Sequence, residues 1–466
     1  MKQSILLLMF LWTSAIYAQS LKIPQIIGSN MVLQRNDTVK IWGWSTPEKK
    51  IRIKTSWNKK SYTTYANGKG KWTVSVVTTQ AGGPYQLEVK SANEKQLFKN
   101  ILLGEVWLFS GQSNMNFNLK GSYGSYPLER DQILLASNQS KIRIFDVDRK
   151  VSLVPSDTLL SKEKWEISTP QNAANTSAIA YMFALQLHQT LNVPIGIIHT
   201  SYGGSYISAW LSKETLKKYN QYDLKNLKYT KWNNDIPSAI YNAMLKPLAP
   251  YGIKGALWYQ GESDRKTPQL YIQQYQDLAN DWRSIFQQDF PIYMAQIAPF
   301  GYKPPSQSQY IREAQIKAAN MISQGGIVIT SDVGEKGNIH PHKKKPIADR
   351  FLRLALNQAY GMTAIDASSP RYETHKIDEN KIVLQFKDAN EGLHCNDKDL
   401  KYFEIAGINK KFYPAKAKIV GRNKIEVSSK NVTQPIAVRY GWRNFFIGNI
   451  YDSHDLPLSS FRTDKW

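Results

Sequence analysis

Between residues 101 and 364, short apolar runs that do not alternate with polar residues are interleaved with amphipathic stretches. The runs are Val106–Phe109, Ile142–Val147, Ile195–His199, Ile253–Trp258, Ile292–Ile297 and Gly326–Thr330. A strand that is apolar on both sides must be covered on both sides, as happens when a parallel sheet is wrapped by helices. The intervening segments Ser177–Leu191, Tyr271–Ile285 and Ile311–Ile322 read as those helices. Another starts near Pro346, places Ile347, Phe351 and Leu354 on one face, and ends at Gly361. The flanks obey a different period. Residues 19–100 alternate at Val39 and Ile41, Ile51 and Ile53, and Tyr85, Leu87 and Val89. There, Asn67-Gly68 is a hairpin signal before Trp72, Val74 and Val76, and the segment reads as a small β-sandwich. Residues 365–466 return to alternation at Ile382–Phe386, Ile425 and Val427, and Ile436 and Val438, predicting a C-terminal β-rich domain. Several domains are expected of a 466-residue chain, and no internal repeat of fixed period is visible.

The net charge is +23, yet Lys and Arg are scattered and their longest run is Lys343–Lys345. No zinc-finger spacing, RNA-binding signature or basic heptad helix accompanies that charge, so it reads as a solvated surface rather than a nucleic-acid site. Cys395 is the sole cysteine, which excludes an intrachain disulfide and any cysteine-built metal site. None of the seven histidines pairs in a His-Glu-x-x-His pattern, and neither metal nor cofactor is expected. Lys2, the apolar run Ile5–Trp12 and a small residue at Ala18 read as a signal peptide over residues 1–18. No later segment reaches about 18 uninterrupted apolar residues, so an exported chain without membrane insertion is expected.

Four segments carry chemistry, and each follows a strand candidate. Gly104–Met115 runs a buried strand into Gly111-Gln112-Ser113-Asn114. A serine just beyond a parallel strand lies where ligands bind in open α/β sheets, although the same serine could merely cap a helix. Thr200–Ser205 carries Gly203 and Gly204, whose backbones allow the close approach that an oxyanion needs. Trp258–Asp264 brings the Gln260 amide and the Glu262 carboxylate to the same sheet edge, and Ser331–Pro341 brings His340.

Together these segments resemble the sialate O-acetylesterase family of the SGNH (GDSL-like) hydrolase superfamily. The matching residues are Gly111–Met115, Tyr241–Met244 leading to Trp258–Glu262, and Ile339-His340-Pro341, with Ser460–Trp466 similar to the family's end. The resemblance spans nearly the whole chain after the signal peptide. It implies a three-layer α/β/α flavodoxin-like hydrolase domain over residues 101–364, with β-rich domains at 19–100 and 365–466. It implies carbohydrate O-acetylester hydrolysis, with Ser113 as nucleophile and His340 as general base. The N–H of Ser113, Gly203 or Gly204, and the Gln260 amide would hold the oxyanion, while Glu262 and Ser208 are candidates for substrate contact. The implied partner is an O-acetylated glycan or free sialic acid.

The chain departs from that pattern at the third triad member. Positions where relatives carry Asp, three and two residues before the histidine, hold Gly337 and Asn338. Asp332, Glu335 and the Asn338 backbone carbonyl are therefore the candidates to orient His340, since orienting a base needs an acceptor and not necessarily a charged one. At Ser208 relatives often carry Glu. His342 is an alternative base; His188 reads as structural, His199 as a neighbour of the site, and His375, His394 and His454 as parts of the C-terminal β region. Two rival functions are an acetylesterase of xylan or other hemicellulose, and a non-catalytic glycan-binding protein on the same fold.

Overall fold

A computed structural model of the chain describes residues 21–389 and 391–466. The signal-peptide reading thus lies outside the described residues. The central feature is one 18-residue strand. β1 (Val32–Gln34), β2 (Thr38–Trp44), β3 (Lys50–Thr55), β4 (Ser61–Tyr65), β5 (Lys71–Val77) and β6 (Gly82–Ser91) precede it, and β7 runs from Glu94 to Gly111. The first half of β7 pairs antiparallel with β6, and its second half enters a parallel sheet. The boundary expected near residue 100 therefore falls inside a strand. Ile41, Ile51, Trp72 and Val89 of the N-terminal unit share one apolar core with Val106 and Trp258 of the central sheet. The period changes from alternating to continuous burial because β7 passes from an outer β layer to the middle of the molecule.

After α1 (Arg130–Leu135) come β8 (Ile142–Asp146), β9 (Glu166–Ile167), α2 (Pro170–Asn175), α3 (Ala178–Leu191) and β10 (Ile195–Ser201). Then follow α4 (Lys213–Leu216), β11 (Gly255–Tyr259), α5 (Pro268–Phe286), β12 (Ile292–Ala295), α6 (Ser308–Met321), β13 (Gly325–Val328) and α7 (Lys345–Leu354). The strand order is β13-β12-β11-β7-β10-β8-β9, parallel except for β9. Residues of β10, β11 and β12 are buried throughout. α5 and α6 cover one face through Tyr271, Tyr275, Leu278, Trp282, Ile311 and Ala318. α3 and α7 cover the other through Phe183, Leu187, Ile347 and Phe351. This is the α/β/α layering the alternation requires.

Local signals set the helix ends. The Ser177 hydroxyl accepts from the Ala180 N–H at 3.2 Å, and Asn192 closes α3 in the left-handed region at φ 51°. α7 ends at Leu354, earlier than Gly361 suggested, because a wider turn over Ala355–Ala359 intervenes. The C-terminal region forms antiparallel sheets with their own core of Ile382, Leu384, Phe386, Ile405, Ile425 and Val438. Buried Arg312 of α6 fastens that region down, donating to the carbonyls of Arg443 at 2.5 Å and Gly441 at 3.4 Å and to the Ser460 hydroxyl at 3.2 Å. No helix among the described residues is long and apolar enough to cross a membrane.

Candidate active site

Because β10 and β11 flank β7, the connections from its two sides depart in opposite directions. A ligand crevice opens at such a switch point, beyond the strands' carboxyl ends. Ser113 sits there, two residues past β7. Gly111 makes the turn possible. Its φ is +136°, and a methyl group there would lie 2.2 Å from the Tyr259 carbonyl oxygen, so a side chain would push β7 off β11. Ser113 is half-buried, and its hydroxyl has no hydrogen-bond partner among the described residues.

The loop after β10 lies against this serine. A methyl group added at Gly203 would come within 3.6 Å of Ser113 Cβ and 3.1 Å of the Tyr123 hydroxyl. The N–H groups of Ser113 and Gly203 donate to no acceptor among the described residues, leaving two backbone donors beside the hydroxyl. Gly204 adopts φ +70°, with the Asn234 amide packed where a side chain would be. The Gln260 amide is committed elsewhere. It is fully buried, and its nitrogen donates to Asp264 Oδ2 at 2.5 Å and the Ser205 carbonyl at 2.9 Å. Gln260 therefore supports the Gly203–Ser205 loop from behind.

His340 arrives on the loop between β13 and α7. Its ring stacks on Tyr123 at 4.2 Å between centroids. Its neighbour Ile339 accepts through its carbonyl from the side chain of Asn114, the neighbour of Ser113, at 3.1 Å. Tyr123 and Asn114 thus bring the Ser113 turn and the His340 loop together. The imidazole has no hydrogen-bond partner among the described residues. Burial first, and the Lys344 charge second, push its pKa down to about 4.

Both carboxylate candidates for orienting that ring are engaged elsewhere. Asp332 forms a bidentate pair with Arg350 at 2.8 and 2.6 Å. Glu335 holds His342 through Nδ1 at 2.8 Å and through the backbone N–H at 2.7 Å. The Asn338 carbonyl makes no bond to the ring among the described residues; instead the Asn338 side-chain oxygen accepts from the His340 N–H at 2.9 Å. Asn338 shapes the loop and does not orient the base. Glu262 and Ser208, candidates for substrate contact, are 4% and 3% exposed. Glu262 accepts from Asn114 at 2.7 Å, and the Ser208 carbonyl accepts from the Ser238 N–H at 3.0 Å. The Asp332–Arg350 pair is nearly closed to solvent, with side chains 12% and 9% exposed. Asp332→Asn should therefore cost about 3 kcal/mol of stability and leave kcat within a few-fold, as denaturant melts and steady-state rates will show.

The region containing residues 103–348 matches the family model described as carbohydrate esterase, sialic acid-specific acetylesterase. The chain belongs to this family. It is 26% identical to human sialate O-acetylesterase, over 93% of this chain and 90% of that one. The mouse enzyme is likewise 26% identical, over 89% and 88% of the two chains. The crystal structure of a carbohydrate acetylesterase from Xanthomonas citri superposes with a TM-score of 0.86 at 32% identity, covering 96% of this chain and all of that one. As a member of the sialic acid-specific acetylesterase family, the chain is an ester-hydrolysing enzyme.

Three parts of this acetylesterase's site escaped sequence reasoning. The first is a buried polar chain: Lys344 Nζ donates to Asn114 Oδ1 at 2.6 Å, and Asn114 Nδ2 donates to Glu262 Oε1 at 2.7 Å. The second is Tyr123, which carries no motif. The third is a hydrogen-bonded Ser201–His199–Asp146 array, with 2.6 Å at both links. It has the composition of a triad, but Ser201 is only 2% exposed and cannot meet a substrate. It leads instead through Asn116, at 3.3 and 3.1 Å, to the Tyr123 hydroxyl. A cluster of Asp366, Asp452 and His454, with ligand atoms within 4.8 Å, has metal-like spacing, but it belongs to neither the Ser113 turn nor the His340 loop.

Proposed function

We propose that this protein is an exported carbohydrate O-acetylesterase that removes acetyl groups from sialic acids through a Ser113–His340 dyad. One observation carries the reading. A serine hydroxyl and the N–H groups of Ser113 and Gly203, none with a hydrogen-bond partner among the described residues, lie together, and an imidazole whose pKa burial depresses enters the same crevice. His340 takes the proton as Ser113 Oγ attacks the acetyl carbonyl, and the two backbone donors receive the developing oxyanion. Collapse breaks the ester C–O bond, and the imidazolium protonates the departing sugar oxygen. Water then attacks the acetyl-serine with His340 again as base, releasing acetate and restoring the hydroxyl. The Tyr123 stack restrains the plane of the His340 ring.

Acetate release from O-acetylated sialic acid, compared with acetylated xylan, tests the substrate. Faster release from xylan would transfer the assignment to a hemicellulose esterase, and no release from either or from p-nitrophenyl acetate would leave a binding protein. The base sets a pH signature. A histidine held near 4 loses its base form only as pH falls through that value, so the acid limb of kcat/KM should lie near pH 4 and not near the ordinary 6.5. A limb at 6.5 would show that burial and Lys344 do not depress the base, and a His340→Ala variant that keeps its activity would remove His340 from the role. Export is tested by the N-terminus of the mature chain, expected just after Ala18.

A further inference from the structure

Three exposed aromatic residues lie on the two segments that follow the nucleophile loop in sequence. Tyr206 directly follows the Gly203–Ser205 loop, and Tyr229 and Trp232 project from the long connection between α4 and β11. They are 42%, 60% and 67% exposed. Single exposed aromatics are ordinary on protein surfaces. Tyr206 and Trp232 flank a contact with the nucleophile loop made by Asn234, and Tyr229 precedes Trp232 by three residues. Asn234 donates to the Gly203 carbonyl at 2.8 Å and accepts from the Tyr206 N–H at 3.4 Å. One residue, Asn233, separates Trp232 from Asn234, which places the Trp232 Cα within about 8 Å of the Asn234 Cα.

The platform is also held in place. Thr230 N–H donates to Asn233 Oδ1 at 2.9 Å, Asn233 N–H donates back to Thr230 Oγ1 at 2.8 Å, and Thr230 Oγ1 donates to Asp235 at 2.9 Å. Lys231 Nζ lies 5.1 Å from the centre of the Trp232 ring. An exposed indole on a hydrogen-bonded turn beside an ester-cleaving site offers a rigid flat surface with few rotatable bonds to restrict on binding. The C–H faces of pyranose rings match it.

We propose that Trp232, with Tyr229 and Tyr206, forms a glycan-binding subsite that stacks a sugar ring adjoining the acetylated one, so that the substrate is an acetylated glycan chain and not a free monosaccharide. This rests on Ser113 being the nucleophile, since the subsite is defined by its distance from that residue. The required chemistry is a succession of pyranose rings, whether sialylated or neutral.

Trp232→Ala tests it, because the side chain is exposed and takes no part in bond making. Hydrolysis of p-nitrophenyl acetate should stay within about twofold of wild type. KM for an O-acetylated sialyl-oligosaccharide or an acetylated xylo-oligosaccharide should rise about tenfold or more with kcat unchanged, the mark of lost uniform binding. The two oligosaccharides report which chain the subsite accepts. Trp232→Phe should restore most of the loss. In the wild type, KM should be lower for the chain than for the free O-acetylated monosaccharide, and Trp232→Ala should erase that difference. Equal KM for chain and monosaccharide in the wild type, or no change on Trp232→Ala, would overturn the subsite. Calorimetric binding of the deacetylated chains to wild type and Trp232→Ala requires no catalysis. Weaker binding by the variant therefore supports the subsite even if Ser113 proves not to be the nucleophile, and identical binding overturns it.

Discussion

Ser113→Ala should lower esterase turnover by roughly 10⁴- to 10⁶-fold, the range seen when a serine hydrolase loses its nucleophile. The same variant should melt with the wild type. The Ser113 hydroxyl has no hydrogen-bond partner among the described residues, so removing it orphans no buried donor or acceptor, and the side chain lies on a turn outside the apolar cores. Substitutions of that kind usually change stability by about 0.5 kcal/mol or less. Steady-state rates on p-nitrophenyl acetate, thermal melts and mass spectrometry for the acetyl-serine adduct decide the matter together. Activity within a few-fold of wild type, with the fold intact, would mean that another group attacks the ester. Ser201 would not replace it, being closed off behind Asn116 and His199.

The layer architecture was legible because continuous burial and amphipathic helices leave opposite patterns. Residues such as Ile195–Ile198 and Leu278 with Trp282 carry those patterns within a few positions of chain. The β7 strand was not legible as a unit, since no local signal reveals that Leu97 and Phe109 belong to one strand serving two sheets. Ser113, Gly203 and His340 could be placed at one sheet edge because each follows a strand, and parallel strands deliver their ends to one edge. Less legible were the details in which polar groups choose partners by orientation. Gln260 lies at the expected edge, but its amide faces Asp264. Asp332 lies eight residues before His340, but Arg350, one turn and a half into α7, takes both of its oxygens. Sequence distance says where such groups can reach, and only packing says what they meet. Lys344 was passed over because a lysine in a basic chain reads as surface, whereas this one is fully buried.

That burial is why Lys344→Met should produce the second large effect. The Lys344 ammonium lies 4.5 Å from the Phe117 ring centre, donates to Asn114, and faces the charges of Glu262 and Glu335. Burial pushes its pKa down to about 7, while the two carboxylates oppose that shift. Glu262 on the far side of Asn114 is itself raised by burial, and the Asn114 hydrogen bond and the charges of Lys344 and Arg265 work against that rise. Removing Lys344 leaves Glu262 as a buried carboxylate with a weakened counter-charge and leaves Asn114 Oδ1 without its donor. Breaking a buried pair from one side costs about 3 to 5 kcal/mol. Asn114 also holds Ile339, so the Ser113 turn and the His340 loop should lose register, and a drop of roughly 10²-fold in kcat/KM is expected from misplacement of that kind. A purely structural lysine would do no more than this. Lys344, however, is also one of the two causes that depress His340. Taking away a positive neighbour makes the imidazolium less unfavourable, so the His340 pKa should rise from about 4 toward 6.5, stopping short because burial, the larger cause, remains. The acid limb of kcat/KM should move up with it. Adding Glu262→Gln separates the two roles. With both charges gone the buried pair is neutral on each side, and much of the lost stability should return. The acid limb should stay displaced, because the cation that depressed His340 is still missing. An acid limb unmoved in Lys344→Met, or one restored together with stability in the double variant, would show that Lys344 only supports the fold.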